Sequence, residues 1–488
     1  MILFLRKKTM SLLLVGFVTY FFIIGMIAFA AYMSSNRNIS TQYSQAILGN
    51  RSVNYLLTAL SAHASDMSDW LFMAFPGALY AGGMINAWIA IGLIGGMFTV
   101  WQYIAPKLRT KTALYNCFTL STYFEHHFKD TSGIIRIISA ILSIIFFAVY
   151  IAAGLKGFGF IAESVFYIPY FIGVMVAIIC AIAYIFLGGY RTLAWIDCFQ
   201  ALFLLVVIFY VPYTALFHIG GYGSIITMAA EKDISLSLFP ETWVGFLNII
   251  LMSMSWAVGY FGTPHILTKF MGINDVREMS KAKYIGMAWQ ISVLTAAGLV
   301  GLIGIAYFPT MIQNKELIFI EIVKNLYSPL KIGFILSAVA GATLSVITAQ
   351  ILVLVSVITE DIYHATIRKN ATQKELLWVY RLSILLIALF SFCISLNRTH
   401  SIQQLVHYAW MGFGCSFGPL VFLSLHSSYI NKYGAYASIF VGGIIAMTWH
   451  SFGLPFFSER YAIEIPAVIP GFLLSIIGAY AISWLTKR

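Results

Sequence analysis

Three short segments hold the residues whose type and spacing could do chemistry. Ser61-Ala62-His63-Ala64-Ser65-Asp66-Met67-Ser68-Asp69-Trp70 places two carboxylates and three hydroxyls inside an apolar run. A central aspartate costs about 2.5–3.5 kcal/mol on membrane-insertion scales, so these side chains are expected to face a cavity, an ion or a partner. In Trp256-Ala257-Val258-Gly259-Tyr260-Phe261-Gly262-Thr263-Pro264-His265, two glycines and a proline weaken a helix and free backbone carbonyls. The third set is Ala338, Ala342, Ser345, Ala349, Leu352 and Ser356, which fall on one narrow helical face. That stripe has two readings, close helix packing or a cation site built from Ser345 and freed carbonyls, since a hard cation takes oxygen ligands.

The elements that must position these residues are membrane helices. Of 488 residues only 10% are charged, 60% are hydrophobic, and mean hydropathy is +0.87. A soluble domain carries about 25% charged residues. The composition excludes a soluble enzyme, disorder and coiled coil, and the net charge of +11 does not point to nucleic acid because the charges sit between long apolar runs. Reading for runs of about 20 apolar residues gives about thirteen spans: 10–32, 52–79, 85–104, 133–155, 166–187, 191–217, 241–265, 286–308, 332–360, 376–396, 402–426, 434–453 and 465–485. The gaps leave no room for a soluble domain. The five cysteines (Cys117, Cys180, Cys198, Cys393, Cys415) stand singly, with no metal-ligand or disulfide spacing.

Basic residues set the expected orientation. With the C-terminus inside, nineteen lie on the cytoplasmic side, among them Arg37, Arg51, Arg109, Lys269 and Lys283, and ten on the other. This predicts an outside N-terminus and an inside C-terminus in a multi-pass membrane protein. Arg6-Lys7-Lys8 and Ala28-Phe29-Ala30 have the look of a signal peptide. The apolar run is too long for one, and cleavage would export the segment holding Arg37 and Arg51, so a retained first helix is expected.

The two interrupted spans, the second and the seventh, lie five helices apart. Interrupted segments at matching positions in two halves point to a secondary-transporter binding site. Residues 52–218 and 241–426 are then expected to be inverted five-helix repeats, with 1–51 (first helix and cytoplasmic loop) and 427–488 (two helices) peripheral.

At these residues the chain resembles the sodium/solute symporter family, most strongly its proline-transporting bacterial branch. The resemblance is carried by Leu60 to Ser68, Phe75-Pro76-Gly77-Ala78, Trp88 to Leu93, Gly188-Gly189-Tyr190-Arg191 with Asp197 and Gln200, Gly259 to Gly262 with Pro264-His265, Gln350 to Val353, Thr359 to Tyr363, and Tyr408 to Gly414, in order along spans 2 to 11. It implies an all-α polytopic protein with a LeuT-type inverted repeat (5+5 helices) and about thirteen transmembrane helices. It implies import of a small amino acid, L-proline first, coupled to sodium by alternating access, with no other cofactor. By the resemblance, sodium is held by Ala64, Met67, Ala342 and Ser345, and the solute by Ser68, Tyr150, Trp256, Tyr260 and Pro264. Asp66 and Arg51 match residues important for sodium use and function.

The chain departs from that branch at three positions. Val346 stands where a hydroxyl ligand is expected, which leaves a proton-coupled or weakly sodium-dependent transporter of another small zwitterion as an alternative. Asp69 replaces glycine, and Lys156 replaces an apolar residue. Asp69 and Lys156 are expected to pair; the rival readings are that Asp69 contacts the solute amine, which puts it in the substrate set, or that it is a solvated vestibule carboxylate. The other polar residues have plainer readings: His126-His127 as a solvated loop pair, His63 in packing or hydrogen bonding, His265 bonding freed backbone, Glu360-Asp361 as an interfacial cap or gate, Arg191 and Asp197 anchoring the sixth span. A membrane solute sensor is the alternative of another class. No metal-ligand spacing or nucleophile motif organises an enzyme, and no obligate protein partner is evident.

Overall fold

Long apolar runs become long helices, and glycine, proline and polar clusters decide where they stop. The computed structural model describes residues 2–33 and 51–487, with side chains described for 10–30, 51–185 and 192–487. The side chains of Arg6-Lys7-Lys8 and of Gly188-Gly189-Tyr190-Arg191, and the whole of Arg37, lie outside the described residues. α1 (Ile2–Met33) is followed by the second span in three pieces, α2 (Tyr55–Ala64), α3 (Asp69–Phe72) and α4 (Ala74–Gly82). α5 (Trp88–Thr99) passes through a π-helical segment, Val100–Ile104, into α6 (Ala105–Leu114), then α7 (Leu120–Phe128) and α8 (Ile134–Val165).

α9 (Tyr170–His218) is one assigned element of 49 residues. Its start bonds the end of a later helix, Tyr170 Oη to Ser395 O at 2.9 Å. Near its other end, Thr214 meets Tyr327, which precedes the long helix α15 on that same side. Two ends on one side require two antiparallel spans, with apolar stretches Tyr170–Ile185 and Thr192–His218. After α10 (Tyr222–Glu231), the seventh span is α11 (Trp243–Gly259) and α12 (Pro264–Met271), bent by 47° at the break. The chain continues with α13 (Met279–Tyr307), α14 (Ile318–Leu326), α15 (Pro329–Ser356, extended by a π-helical Val357–Ile367), α16 (Gln373–Ser395), α17 (Ile402–Ser416), α18 (Gly418–His426), α19 (Lys432–Tyr461) and α20 (Val468–Leu485).

Among the described residues ten helices are long and apolar enough to cross a bilayer, and the bent pair α11–α12 makes eleven. The expectation of about thirteen differs because the second span is cut into pieces too short to cross alone and Tyr170–Ile185 is a shorter apolar helix. α15 is the most enclosed of these spans, with 89% of its most apolar stretch buried. It touches α1, α8 and α9. One isolated bridge ties Val53, before α2, to Ile273, after α12, with Asn274 N donating to Val53 O at 2.8 Å.

α1 packs directly on α15 because both helices present glycine at the contact: a Cβ on Gly333 would lie 2.2 Å from Leu13 O, and one on Gly16 2.7 Å from Leu330 O. Overpacking such a site costs about 1–3 kcal/mol. Gly333→Leu is therefore expected to lower the melting temperature of the purified protein in detergent, while Gly95→Leu, at a helical glycine with open space around it, leaves it within experimental error.

Candidate functional site

The first break begins at Ala64, where helical bonding gives way to a turn. Asp66 N and Met67 N both donate to His63 O, at 3.2 and 3.1 Å, and Ser68 is extended before α3 restarts at Asp69. Among the described residues no hydrogen bond outside the helices ends on the carbonyls of Ala64 or Met67. The second break follows Gly259, with Thr263 extended and Pro264 opening α12, where a missing N–H costs nothing. Both glycines at this break are also required by packing: a Cβ on Gly259 would lie 1.9 Å from Trp410 Nε1, and one on Gly262 2.0 Å from Phe413 O, both on α17.

The two breaks are joined by side chains. Tyr260 Oη donates to Asp66 Oδ2, and Gln290 Nε2 donates to Tyr260 Oη at 3.2 Å. Trp70 Nε1 donates to the Asp66 carbonyl at 2.8 Å, and Asp66 Oδ1 has no partner. Trp256 lies between Trp70 (ring centroids 6.2 Å) and His407 (4.8 Å), stacked on both, and its carbonyl accepts from Trp410 Nε1 at 2.9 Å. Tyr150 meets His265 edge-on at 5.7 Å, and its hydroxyl has no partner. Ser68, Asp69, Tyr150, Trp256 and Tyr260 are all at most 4% exposed, so the region is closed from both sides. Pro264 instead borders a cleft that Thr119, Ser121, Thr268 and Ser356 also line.

The serine expected to hold sodium is committed elsewhere. Ser345 Oγ donates to Asp197 Oδ1. Asp197 Oδ2 accepts from Ser61 Oγ at 2.5 Å and from Lys269 Nζ at 2.8 Å, and Lys269 Nζ reaches Ser61 Oγ at 2.8 Å. This junction ties α2, α9, α12 and α15, and both ion-pair partners are buried. Sequence reasoning counted Lys269 as a cytoplasmic charge and Asp197 as an anchor of its own span; their pairing was missed. The available signal was a lysine within the eight residues that follow a broken helix. Val346 adds no oxygen, and the nearby Thr348 hydroxyl is turned back to Leu344 O and Ser345 O, at 2.8 and 2.9 Å.

Lys156 does not pair with Asp69. Its ammonium donates to Asn397 O (3.3 Å) and to His400 O, fastening the loop between α16 and α17. Lys156 and Gly157 are neighbours on α8 and leave it in different directions: a Cβ on Gly157 would lie 2.3 Å from Asp69 Oδ2. Asp69 is fully buried, so it is no solvated vestibule carboxylate either; the donors near its oxygens are the Ser68 hydroxyl and the N–H groups of Asp69 and Trp70, none in a well-formed hydrogen bond. On the Lys156 side Glu316 also holds the start of α17, accepting from Ile402 N (3.1 Å) and Gln403 N (3.0 Å). Burial pushes the Glu316 carboxyl up, and these two N–H groups and Lys156 pull against that rise. On the opposite side Arg51 donates to Thr112 O (2.9 Å) and Cys117 O (2.8 Å), and Arg109 Nε to Ile273 O (2.8 Å). Asp361 is buried there and accepts from Thr119 Oγ1 at 3.2 Å. His63 accepts from Trp101 Nε1 at 3.3 Å. His265 faces the freed backbone of the first break at Ser65, without a well-formed hydrogen bond on either ring nitrogen.

Residues 46–442 match the family model described as the sodium:solute symporter family. The chain belongs to that family. Among its relatives this sodium:solute symporter family member is 37% identical over 483 residues to the sodium/proline symporter of Escherichia coli (strain K12), covering 97% of this chain and 93% of that one. It is 36% identical to the osmoregulated proline transporter OpuE of Bacillus subtilis (strain 168), over 92% of this chain and 91% of that one. It is also 36% identical to the high-affinity proline transporter PutP of the same strain, over 90% and 92%. Among solved structures it is similar to a sodium-coupled sialic acid symporter in a substrate-bound outward-open state, with TM-score 0.79 over 98% of both chains and 14% identity, a likeness of fold. MhsT in complex with L-phenylalanine gives TM-score 0.55 over 88% of this chain and 99% of that one, at 14% identity. The chain is a multi-pass membrane protein with the LeuT-type fold, and a transporter rather than an enzyme.

Removing one partner from a buried ion pair leaves an uncompensated charge and costs about 3–5 kcal/mol. Lys269→Ala is therefore expected to lower the melting temperature in detergent markedly. The double variant Lys269→Met with Asp197→Leu, which removes both charges, is expected to recover much of that loss.

Proposed function

We propose that this family member imports L-proline, or a closely similar small amino acid, together with sodium by alternating access across the bacterial inner membrane. The observation that carries the reading is the alignment of relatives named as proline transporters over at least 90% of the chain. The gathering of polar side chains at two joined helix breaks gives that reading a site. Counting the bent pair, the broken α2–α4 and Tyr170–Ile185 as one span each gives thirteen spans. Residues 52–218 and 241–426 form the inverted repeats, with the N-terminus outside and the C-terminus inside.

In this reading sodium travels as cargo, held by the carbonyls of Ala64, Met67 and Ala342 and by Ser345. The solute lies against Ser68, Asp69, Tyr150, Trp256, Tyr260 and Pro264. Aromatic faces suit an apolar ring and attract an ammonium. Asp66 couples the two because its free oxygen and its bond to Tyr260 sit between the ion's helix and the solute's. Arg51 holds the cytoplasmic side shut through carbonyls of the neighbouring loop. Ser345 must release Asp197 before it can turn to an ion. That commitment, with Val346 offering no oxygen, favours one second reading, a proton-linked or weakly sodium-dependent carrier.

Purified protein in proteoliposomes is expected to accumulate labelled proline under an inward sodium gradient at constant pH. Accumulation in sodium-free buffer under a pH gradient alone selects the second reading. Ser345→Ala is expected to raise the sodium concentration for half-maximal uptake roughly tenfold, the equivalent of one hydrogen bond to a charged group. Trp256→Ala is expected to abolish uptake while the protein still reaches the membrane. Full activity in both variants removes the assignment of these residues.

A further inference from the structure

Asp69 carries a carboxylate at the first break with no ion-pair partner and no well-formed hydrogen bond; the donors near it are local, the Ser68 hydroxyl and the N–H groups of Asp69 and Trp70. It is fully buried, and its carboxylate lies against the backbone of α8 at Gly157. That stretch of α8 is helix interior, where the N–H groups are already bonded along the helix, so the surface it faces supplies no donor. Lys156, the counter-ion expected from the sequence, is held by the carbonyls of Asn397 and His400. Among the described residues no ion pair involves Asp69. An ionised carboxylate left this way is strongly unfavourable and stays ionised only beside a cation from outside the protein.

The surroundings indicate which cation. Ser68 precedes Asp69 and Trp70 follows it, and Trp70 stacks with Trp256. The unpartnered Tyr150 hydroxyl is on α8, two helical turns from Gly157. Indole faces attract an organic ammonium, whereas a bare metal cation would want several oxygens. We propose that Asp69 determines specificity by receiving the protonated amine of the solute, with the solute's carboxylate turned away from it by like-charge repulsion. This rests on the amino-acid reading above and adds to it. The chain is expected to demand a nitrogen that still carries N–H, and to reject analogues that lack the amine.

The test compares wild type with Asp69→Asn, which keeps shape and removes charge, in proteoliposomes at saturating sodium. The competitors are cyclopentanecarboxylate, without the amine, and N,N-dimethylproline, without N–H. Asp69→Asn is expected to raise KM for proline roughly ten- to a hundredfold, the size of one charge-assisted hydrogen bond. Maximal rate and sodium half-saturation are expected to stay within about twofold. The preference for proline over cyclopentanecarboxylate is expected to shrink by the same factor as KM rises, a change that a purely structural role would not produce. An unchanged KM and preference overturns the proposal, as does a shift confined to sodium half-saturation. If wild type takes up no proline, the functional reading fails separately. The same two proteins are then compared by thermal shift with a panel of amine-bearing and amine-free amino-acid analogues. Stabilisation of wild type by an amine-bearing analogue, weakened in Asp69→Asn, upholds the proposal; any other pattern in that panel overturns it.

Discussion

The hydrogen bond from Tyr260 to Asp66 joins the two places where membrane helices are interrupted. At membrane depth, backbone without helical partners is tolerated only inside protein or facing a cavity. The structure meets that constraint by packing both breaks against each other and against α17, with Trp410, Trp70 and Gln290 bonding the Trp256 carbonyl, the Asp66 carbonyl and the Tyr260 hydroxyl. A second junction, Asp197 with Lys269, Ser61 and Ser345, holds the helix that carries the expected ion ligand close to the first break. The two junctions share α2 and the α11–α12 pair, so a change at either break reaches both.

The two ends of this centre are closed by different means. On the Lys156 side, ammonium and carboxylate groups hold the segment between α16 and α17 through its backbone. The Arg398–Glu163 pair is exposed there and adds little by itself. On the other side, Arg51 and Arg109 are bound to loop carbonyls, and Asp361 to Thr119. Bonds of this kind, from a few side chains to backbone, can be exchanged without unpacking a core. Alternating access in the proposed mechanism needs that property, because one side must open while the other stays shut.

Much of this was legible in the sequence. Asp66 and Asp69 stood out because charge is scarce in apolar runs, and Gly259, Gly262 and Pro264 marked the second break through their effect on a helix. What remained hidden depended on partners far apart in the chain. The Asp69–Lys156 pairing looked reasonable from helix rise alone, yet Lys156 and the side chain facing Gly157 leave α8 in different directions. Lys269 was counted as a cytoplasmic positive charge because orientation rules count charges without asking whether they are buried. The span count suffered from the feature that makes the site: a helix broken twice no longer scores as one crossing element.

The central claim is that one closed centre, built at the two joined breaks, binds sodium and a small amino acid together. Equilibrium binding of labelled proline to the purified protein in detergent, with sodium replaced stepwise by choline, tests it most directly. The account predicts saturable binding that strengthens as sodium rises and is lost in Trp256→Ala. Proline binding of equal strength at every sodium concentration would contradict it.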